Sequence, residues 1–181
     1  MIVLLGVAGS GKSMQGKLLA DEHGYSWIST GEIFRVLVTG KRRLQMLQGK
    51  LLSDEEVINM LDKVLELVDM REEVVLDGFP RTVKQADWLI EQSKKDRFKL
   101  SGIVHLSSSE DVVRTRLMAR GRLDDTEKAI TRRFDEYKAV TVPIISHFKK
   151  VGIHVYNIDA SQTPKAVHDA IIKYVDNNKT E

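Results

Sequence analysis

The sequence predicts an α/β fold: a five-stranded parallel sheet with helices on both faces. Three observations carry this. Short apolar runs recur at "MIVLL" (1–5), "YSWI" (25–28), "VVL" (74–76), "IVHL" (103–106) and "IHVYNI" (153–158). The segments between them carry helical spacing, and strands alternating with helices fold as a parallel sheet. The glycine-rich stretch "GVAGSGKSMQ" (6–15) follows the first run directly, at the carboxyl end of a strand, where sheets of this kind bind their ligands.

Along that first connection, Gly6 to Ser13 spells G-x-x-x-x-G-K-S, the pattern of a phosphate-binding loop. Gly6, Gly9 and Gly11 let the backbone turn back with its N–H groups inward, while the following helix presents its positive end to the same point. Lys12 can extend onto the outer phosphates, and the Ser13 hydroxyl can ligate a magnesium ion bridging them. The plain alternative is a glycine-rich loop that serves only a tight turn.

Between the second and third runs, residues 31–70 read as a helical insertion. Its clearest period is Val57, Ile58, Leu61, Val64, Leu65 and Val68, preceded by the capping-box spacing Ser53-x-x-Glu56. The third run continues as "VVLDGFPRTVKQA" (74–86), which ends in Asp77, breaks at Gly78 and Pro80, and presents Arg81 before a helix. An acid at that strand end can hold magnesium through water, and Arg81 adds a planar fork suited to phosphate. Residues 119–127 read as a short covering loop between helices, and the last run precedes a polar tail, "DNNKTE".

The 181 residues suit one domain spanning 1–181, with no internal repeat, linker or low-complexity tract. A net charge of +2 is too mild to signal a nucleic-acid or membrane surface. Charge concentrates locally instead: six arginines and Lys128 fall from Arg114 to Arg133, against Asp124, Asp125 and Glu127. Without cysteine there is neither a disulfide framework nor a thiolate zinc site. No basic leader opens the chain, and no apolar run approaches the ~18 residues of a membrane span. A cytoplasmic monomer without nucleic-acid or membrane partners is expected.

Taken together, "GVAGSGKSMQ", "ISTGEIFR" (28–35), "LLSDEEV" (51–57), "LDGFPRTVKQA", "RLMARGRLDD" (116–125) and "RRFDEYKAVTVP" (132–143) resemble the nucleoside monophosphate kinases, and among them the adenylate kinases, in the same order and over nearly the whole chain. The resemblance implies a P-loop kinase fold with a monophosphate-binding insertion and a lid, and reversible transfer from MgATP to AMP giving two ADP. It implies that Lys12 follows the transferring phosphate within an ATP site formed by Gly9, Ser10, Gly11 and Ser13, with Arg116 against the adenine. Arg35 and Arg81 would grip the acceptor phosphate, in an AMP site shared with Thr30, Gly31, Gly78 and Gln85. Arg120, Arg122 and Arg133 would close over the phosphoryl group, oriented by the acidic pair Asp124 and Asp125. Asp77 would be the magnesium-associated acid.

Phosphoryl transfer needs positioning and charge neutralisation more than a strong base. The five histidines, His23, His105, His147, His154 and His168, are therefore expected to be structural or exposed. Three departures from the family stand out: Ala8 replaces the usual loop proline, Ser13-Met14 replaces Gly-Thr, and only Gly121 separates Arg120 from Arg122, a very short lid. Gln85 can pair with an adenine edge, whereas Thr82 and Gln85 also carry capping-box spacing. Thr30 likewise reaches a base or caps a helix. A UMP/CMP or other nucleoside monophosphate kinase, and a nucleotide-binding module without turnover, are the competing readings.

Overall fold

The computed structural model describes residues 1–47, 52–123 and 125–179. Along the chain run β1 (Ile2–Leu5), α1 (Lys12–His23), β2 (Ser26–Ser29), α2 (Thr30–Leu37), α3 (Gly40–Leu47), α4 (Asp54–Leu65), β3 (Val74–Asp77) and α5 (Val83–Lys94). There follow β4 (Gly102–Ser107), α6 (Glu110–Arg120), α7 (Glu127–Glu136), a π-helical turn (Tyr137–Thr141), α8 (Val142–Lys150), β5 (Val155–Asp159) and α9 (Pro164–Lys179). The strands form one all-parallel sheet in the order β2-β3-β1-β4-β5, as the alternation of apolar runs and helical segments predicts.

Successive side chains of a strand point to opposite faces, and both faces of this sheet are covered. Val3 and Leu5 of β1 pack with Phe34, Leu61, Leu89 and Phe148, from α2, α4, α5 and α8. Ile2 and Leu4 pack on the other side with Leu19 of α1 and with Val167, Ile171 and Val175 of α9. The inner strands β1 and β3 are thus buried on both sides, which is why the sequence shows short continuous runs there rather than alternation, while the edge strands β2 and β5 are only partly buried. A smaller third cluster joins Val7 to Val113 and Leu117 of α6 and to Ile130 and Phe134 of α7.

Register decides what meets at the carboxyl end. Leu4 pairs with Asp77 and Leu5 with His105, so the loop after β1 emerges between Asp77 and β4. Ser29 also pairs with Asp77, which sets the start of α2 beside Gly78. Two boundaries depart from the sequence reading. Ile153 and His154 precede β5, and α4 ends at Leu65, so Val68 packs on the core as a partly buried residue beyond the helix. The capping box of Ser53 and Glu56 forms in full.

Candidate active site

The helices differ in how their first turns are satisfied. Ser53, Thr82, Ser109 and Thr126 each cap a helix, α4 to α7, with a side-chain oxygen. At α1 the cap position is Gly11, with φ 102° and no side chain to offer, and at α2 Ser29 makes no side-chain cap bond. The first N–H groups of a helix lack intrahelical acceptors, so these two uncapped ends present donors and positive dipole to the region between them. Both open on a single cavity of about 950 Å³.

Into that cavity project Lys12, Arg35, Arg81, Arg120, Arg122 and Arg133, drawn from α1, α2, the turn after β3, and the two arms around the α6–α7 connection. Gly9, Ser10, Gly11, Ser13, Gly31, Asp77, Gly78, Gln85 and Arg116 line it as well. Residues spread from Gly9 to Arg133 are therefore brought to one cavity. Asp124 lies outside the described residues.

Lys12 is buried, and its ammonium donates to the carbonyls of Gly6 (2.7 Å) and Val7 (2.8 Å). An ammonium has three donors, so one is left for a phosphate oxygen. Burial pushes Lys12 down to about 8, with Asp77 opposing the shift and Arg81 and Arg120 adding to it. Burial also lowers Arg81, against the pull of Asp77 and with the repulsion of Arg133 and Arg35. A guanidinium starts so high that it stays charged. Arg81 Nε donates to the Gly78 carbonyl at 2.9 Å, which aims the rest of the fork outward.

Ser13 donates its hydroxyl to Asp77 Oδ2 at 2.6 Å, and Asp77 is buried. This hydroxyl and carboxylate form an all-oxygen pair, the donor type that hard divalent cations take alongside phosphate and water. Among the described residues no group of three His, Cys, Asp or Glu side chains converges to hold a metal by itself. The pair therefore fits a magnesium ion that is also held by a phosphate chain.

Asp125 organises the arginines. Arg120 grips its carboxylate with two bonds (2.8 and 2.7 Å), Arg133 adds a third (3.1 Å), and the Arg122 backbone N–H a fourth (3.3 Å). Burial raises the Asp125 pKa, but the bonds and charge of Arg120, with Arg122 N–H and Arg133, outweigh it and hold the group below the usual carboxylate range. The Arg122 side chain reaches across to Glu32 of α2 at 2.8 Å, and Glu32 also pairs with Arg35. Arg116 Nη1 donates to the Ala160 carbonyl at 2.7 Å, which ties the far end of the cavity to the loop after β5.

Two of the residues singled out in the sequence make bonds that their spacing does not state. Thr30 neither caps a helix nor lines the cavity: its buried hydroxyl donates to the Asp77 carbonyl at 3.3 Å, pinning the start of α2 against the end of β3. Thr82 and Gln85 form only half of a capping box. Thr82 Oγ1 accepts from Gln85 N (3.2 Å), but the Gln85 amide turns to the Arg81 N–H (2.8 Å) and to Asp54 Oδ1 (2.8 Å).

Other residues of the site carry no local signal. Arg43 of α3 lines the cavity and donates to the Arg35 carbonyl at 2.7 Å; it lies in the insertion, among basic and polar residues that single out none of their number. Tyr137 also lines the cavity, and the π-helical turn it opens is a feature often found at functional sites. Its hydroxyl meets His105 Nε2 at 2.5 Å while His105 Nδ1 meets Asn157 Oδ1 at 2.8 Å. Since Asn157 Oδ1 can only accept, Nδ1 carries the proton and Nε2 accepts from Tyr137. Burial lowers the His105 pKa against the Asn157 bond, with the Lys12 charge adding to the shift, so the ring is the neutral support of a tyrosine.

A family model described as adenylate kinase matches residues 4–153. The chain is similar to the adenylate kinase of Corynebacterium urealyticum, at 37% identity over 181 residues, which cover 97% of this chain and 98% of that protein. It is similar to those of Prochlorococcus marinus (35% over 176 residues, 94% and 95%) and Oenococcus oeni (32% over 184 residues, 97% of each).

Proposed function

This chain belongs to the adenylate kinase family, and from that premise we propose that it transfers the terminal phosphoryl group of ATP reversibly to AMP, giving two ADP. The observation that carries the reading is the convergence of Lys12 and five arginines on one cavity beside two uncapped helix N-termini.

In this reaction an oxygen of the AMP phosphate attacks the γ-phosphorus and the bond to the β–γ bridging oxygen breaks. Charge spreads over the transferring group, so fixed positive groups lower the barrier without a covalent step. Lys12 and the backbone N–H groups of Gly9, Gly11 and Ser13 hold the ATP phosphates, Ser10 shapes the loop by donating its N–H to the Val7 carbonyl at 3.1 Å, and Arg116 lies against the base. Arg35 and Arg81 hold the acceptor phosphate beside Gly31 and Gly78, with Gln85 on the adenine edge. Arg120, Arg122 and Arg133 neutralise the group in flight, kept in register by Asp125. When bound at Ser13 and Asp77, magnesium supplies further charge neutralisation to the phosphate chain.

In this reading residues 31–70 are the monophosphate-binding insertion and 119–127 a short lid that excludes water, the competing acceptor. The enzyme works as a monomer in a reducing cytoplasm, in keeping with a chain that has no cysteine; among the described residues no helix is long and apolar enough to cross a membrane. A coupled assay offering AMP, CMP, UMP and GMP separately with MgATP, against Lys12→Met, tests the function. Magnesium-dependent ADP formation with AMP, lost in Lys12→Met, is expected. Preference for another monophosphate would overturn the acceptor, and nucleotide binding without turnover would overturn the activity.

A further inference from the structure

We infer that Asp54 fixes which way round the Gln85 amide lies, and thereby selects a 6-amino over a 6-oxo purine monophosphate as acceptor. The inference rests on the proposed contact between Gln85 and the acceptor base. Gln85 is 3% exposed, and its two ends are held by different partners. Oε1 accepts from the Arg81 backbone N–H at 2.8 Å, and Nε2 donates to Asp54 Oδ1 at 2.8 Å. Asp54 opens α4 directly after its Ser53 cap and also accepts from Thr82 Oγ1 at 2.8 Å. One carboxylate oxygen thus binds α4 to both the cap and the first turn of α5.

An amide turned over by half a rotation occupies the same space with donor and acceptor exchanged. In this setting the exchange would set Oε1 against the Asp54 carboxylate and Nε2 against the Arg81 N–H, replacing two hydrogen bonds with two repulsive contacts. A carboxylate accepts only, so it tolerates one orientation of its neighbour. Each amide atom then keeps one bonding position for the cavity: a lone pair on Oε1 and one hydrogen on Nε2.

That acceptor–donor pair has the polarity of an adenine edge, where the 6-amino group donates and N1 accepts. Hypoxanthine has nearly the same shape, but its 6-oxo group accepts and its N1–H donates. It would face like against like along the whole edge, and a site built to hydrogen-bond one edge rejects the reversed one. Asp54 touches neither base nor phosphate in this scheme. It is a positioning residue, 31 positions from the glutamine it orients.

Steady-state kinetics with AMP and IMP as acceptors, at saturating MgATP, test this in Asp54→Asn. An asparagine offers Gln85 either an oxygen or a nitrogen, so that side no longer dictates the orientation. The ratio of kcat/KM for AMP over IMP is expected to fall roughly tenfold, through a higher KM for AMP more than through kcat, and with gained use of IMP. Asp54→Ala removes the partner altogether and is expected to shift the ratio in the same direction; thermal unfolding of both variants confirms that they are folded. A ratio within twofold of wild type in a folded variant overturns the role of Asp54. Gln85→Ala separates the two levels. If it leaves the ratio unchanged, the base contact is wrong and the inference falls with it; if it collapses the ratio while both Asp54 variants keep it, only the assignment to Asp54 falls.

Discussion

Arg120 and Asp125 meet fork to fork, Nε on Oδ2 at 2.8 Å and Nη2 on Oδ1 at 2.7 Å, across the connection between α6 and α7. The same carboxylate holds Arg133 at 3.1 Å, so one buried acid sets the spacing of two arginines on different helices. Asp125→Ala removes that anchor and leaves two cations repelling each other. A fall of about tenfold to a hundredfold in kcat is expected, because charge placement is most of what this chemistry requires. The coupled assay reads it; kcat within twofold of wild type would show that the arginines are positioned without the carboxylate.

Lys12 ties activity to pH. Its folded-state pKa of about 8 lies below the ordinary 10.5, chiefly through burial. Below pH 8 it is protonated whether the chain is folded or not, and the full burial cost, roughly 3 kcal/mol for a shift of this size, opposes folding. Between pH 8 and 10.5 the folded protein has released a proton that the unfolded chain still holds, so the Lys12 contribution to stability rises with pH. Catalysis moves the other way, since only the ammonium neutralises a phosphate. The profile of kcat/KM for MgATP, which reports the free enzyme, is expected to decline above about pH 8. A flat profile to pH 9.5 would contradict the shift.

Two glycines of the same loop separate conformation from space. Gly9 has φ 89°, and a methyl group there would stand 2.8 Å from Leu117 Cγ and 2.9 Å from Val113 Cγ1. Gly11 has φ 102° but nothing within 4 Å of such a methyl. Gly11→Ala should cost about 1–2 kcal/mol from backbone strain alone, and Gly9→Ala a further 1–3 kcal/mol from overpacking the α6 contact. Denaturant titration of both variants checks the order; equal losses would mean that the helix yields freely at Gly9.

At the magnesium end, Ser13→Ala deletes the hydroxyl that donates to Asp77. The buried carboxylate loses a bond worth about 1.5–3 kcal/mol, and the cation loses an oxygen. The magnesium concentration giving half-maximal rate is expected to rise roughly tenfold, with AMP affinity little changed. An unaltered magnesium dependence would place the ion elsewhere.

The sheet was legible in the sequence because its signals are local. The runs of the inner strands β1 and β3 bury both faces, and the loop glycines are spaced by the turn they make. Lys12 and Arg81 could be placed at the carboxyl end of that sheet from their own motifs, whereas Arg35, Arg120, Arg122 and Arg133 were suggested only by the family resemblance. What stayed illegible were pairings between distant parts of the chain: Asp54 with Gln85, Glu32 with Arg122 across 90 positions, Tyr137 with His105. Gln85 shows why. Its spacing from Thr82 states a reciprocal cap, and only the fold, by bringing α4 alongside, reveals a carboxylate that draws the amide away. The π-helical turn was likewise hidden, since "YKAVT" reads as ordinary helix.

The third apolar cluster has a mechanical consequence. Val7 stands inside the phosphate loop, yet it packs against Val113, Leu117, Ile130 and Phe134 rather than against either face of the sheet. Arg116 and Arg120 ride on the helix that carries the first two of these, and Arg133 sits beside Phe134 on the other. The arms that bear the charges and the loop that cradles them are therefore bolted at one small joint. A leucine at Val7 or an alanine at Phe134 would alter no charge, but would change the stiffness of that joint and shift three arginines together.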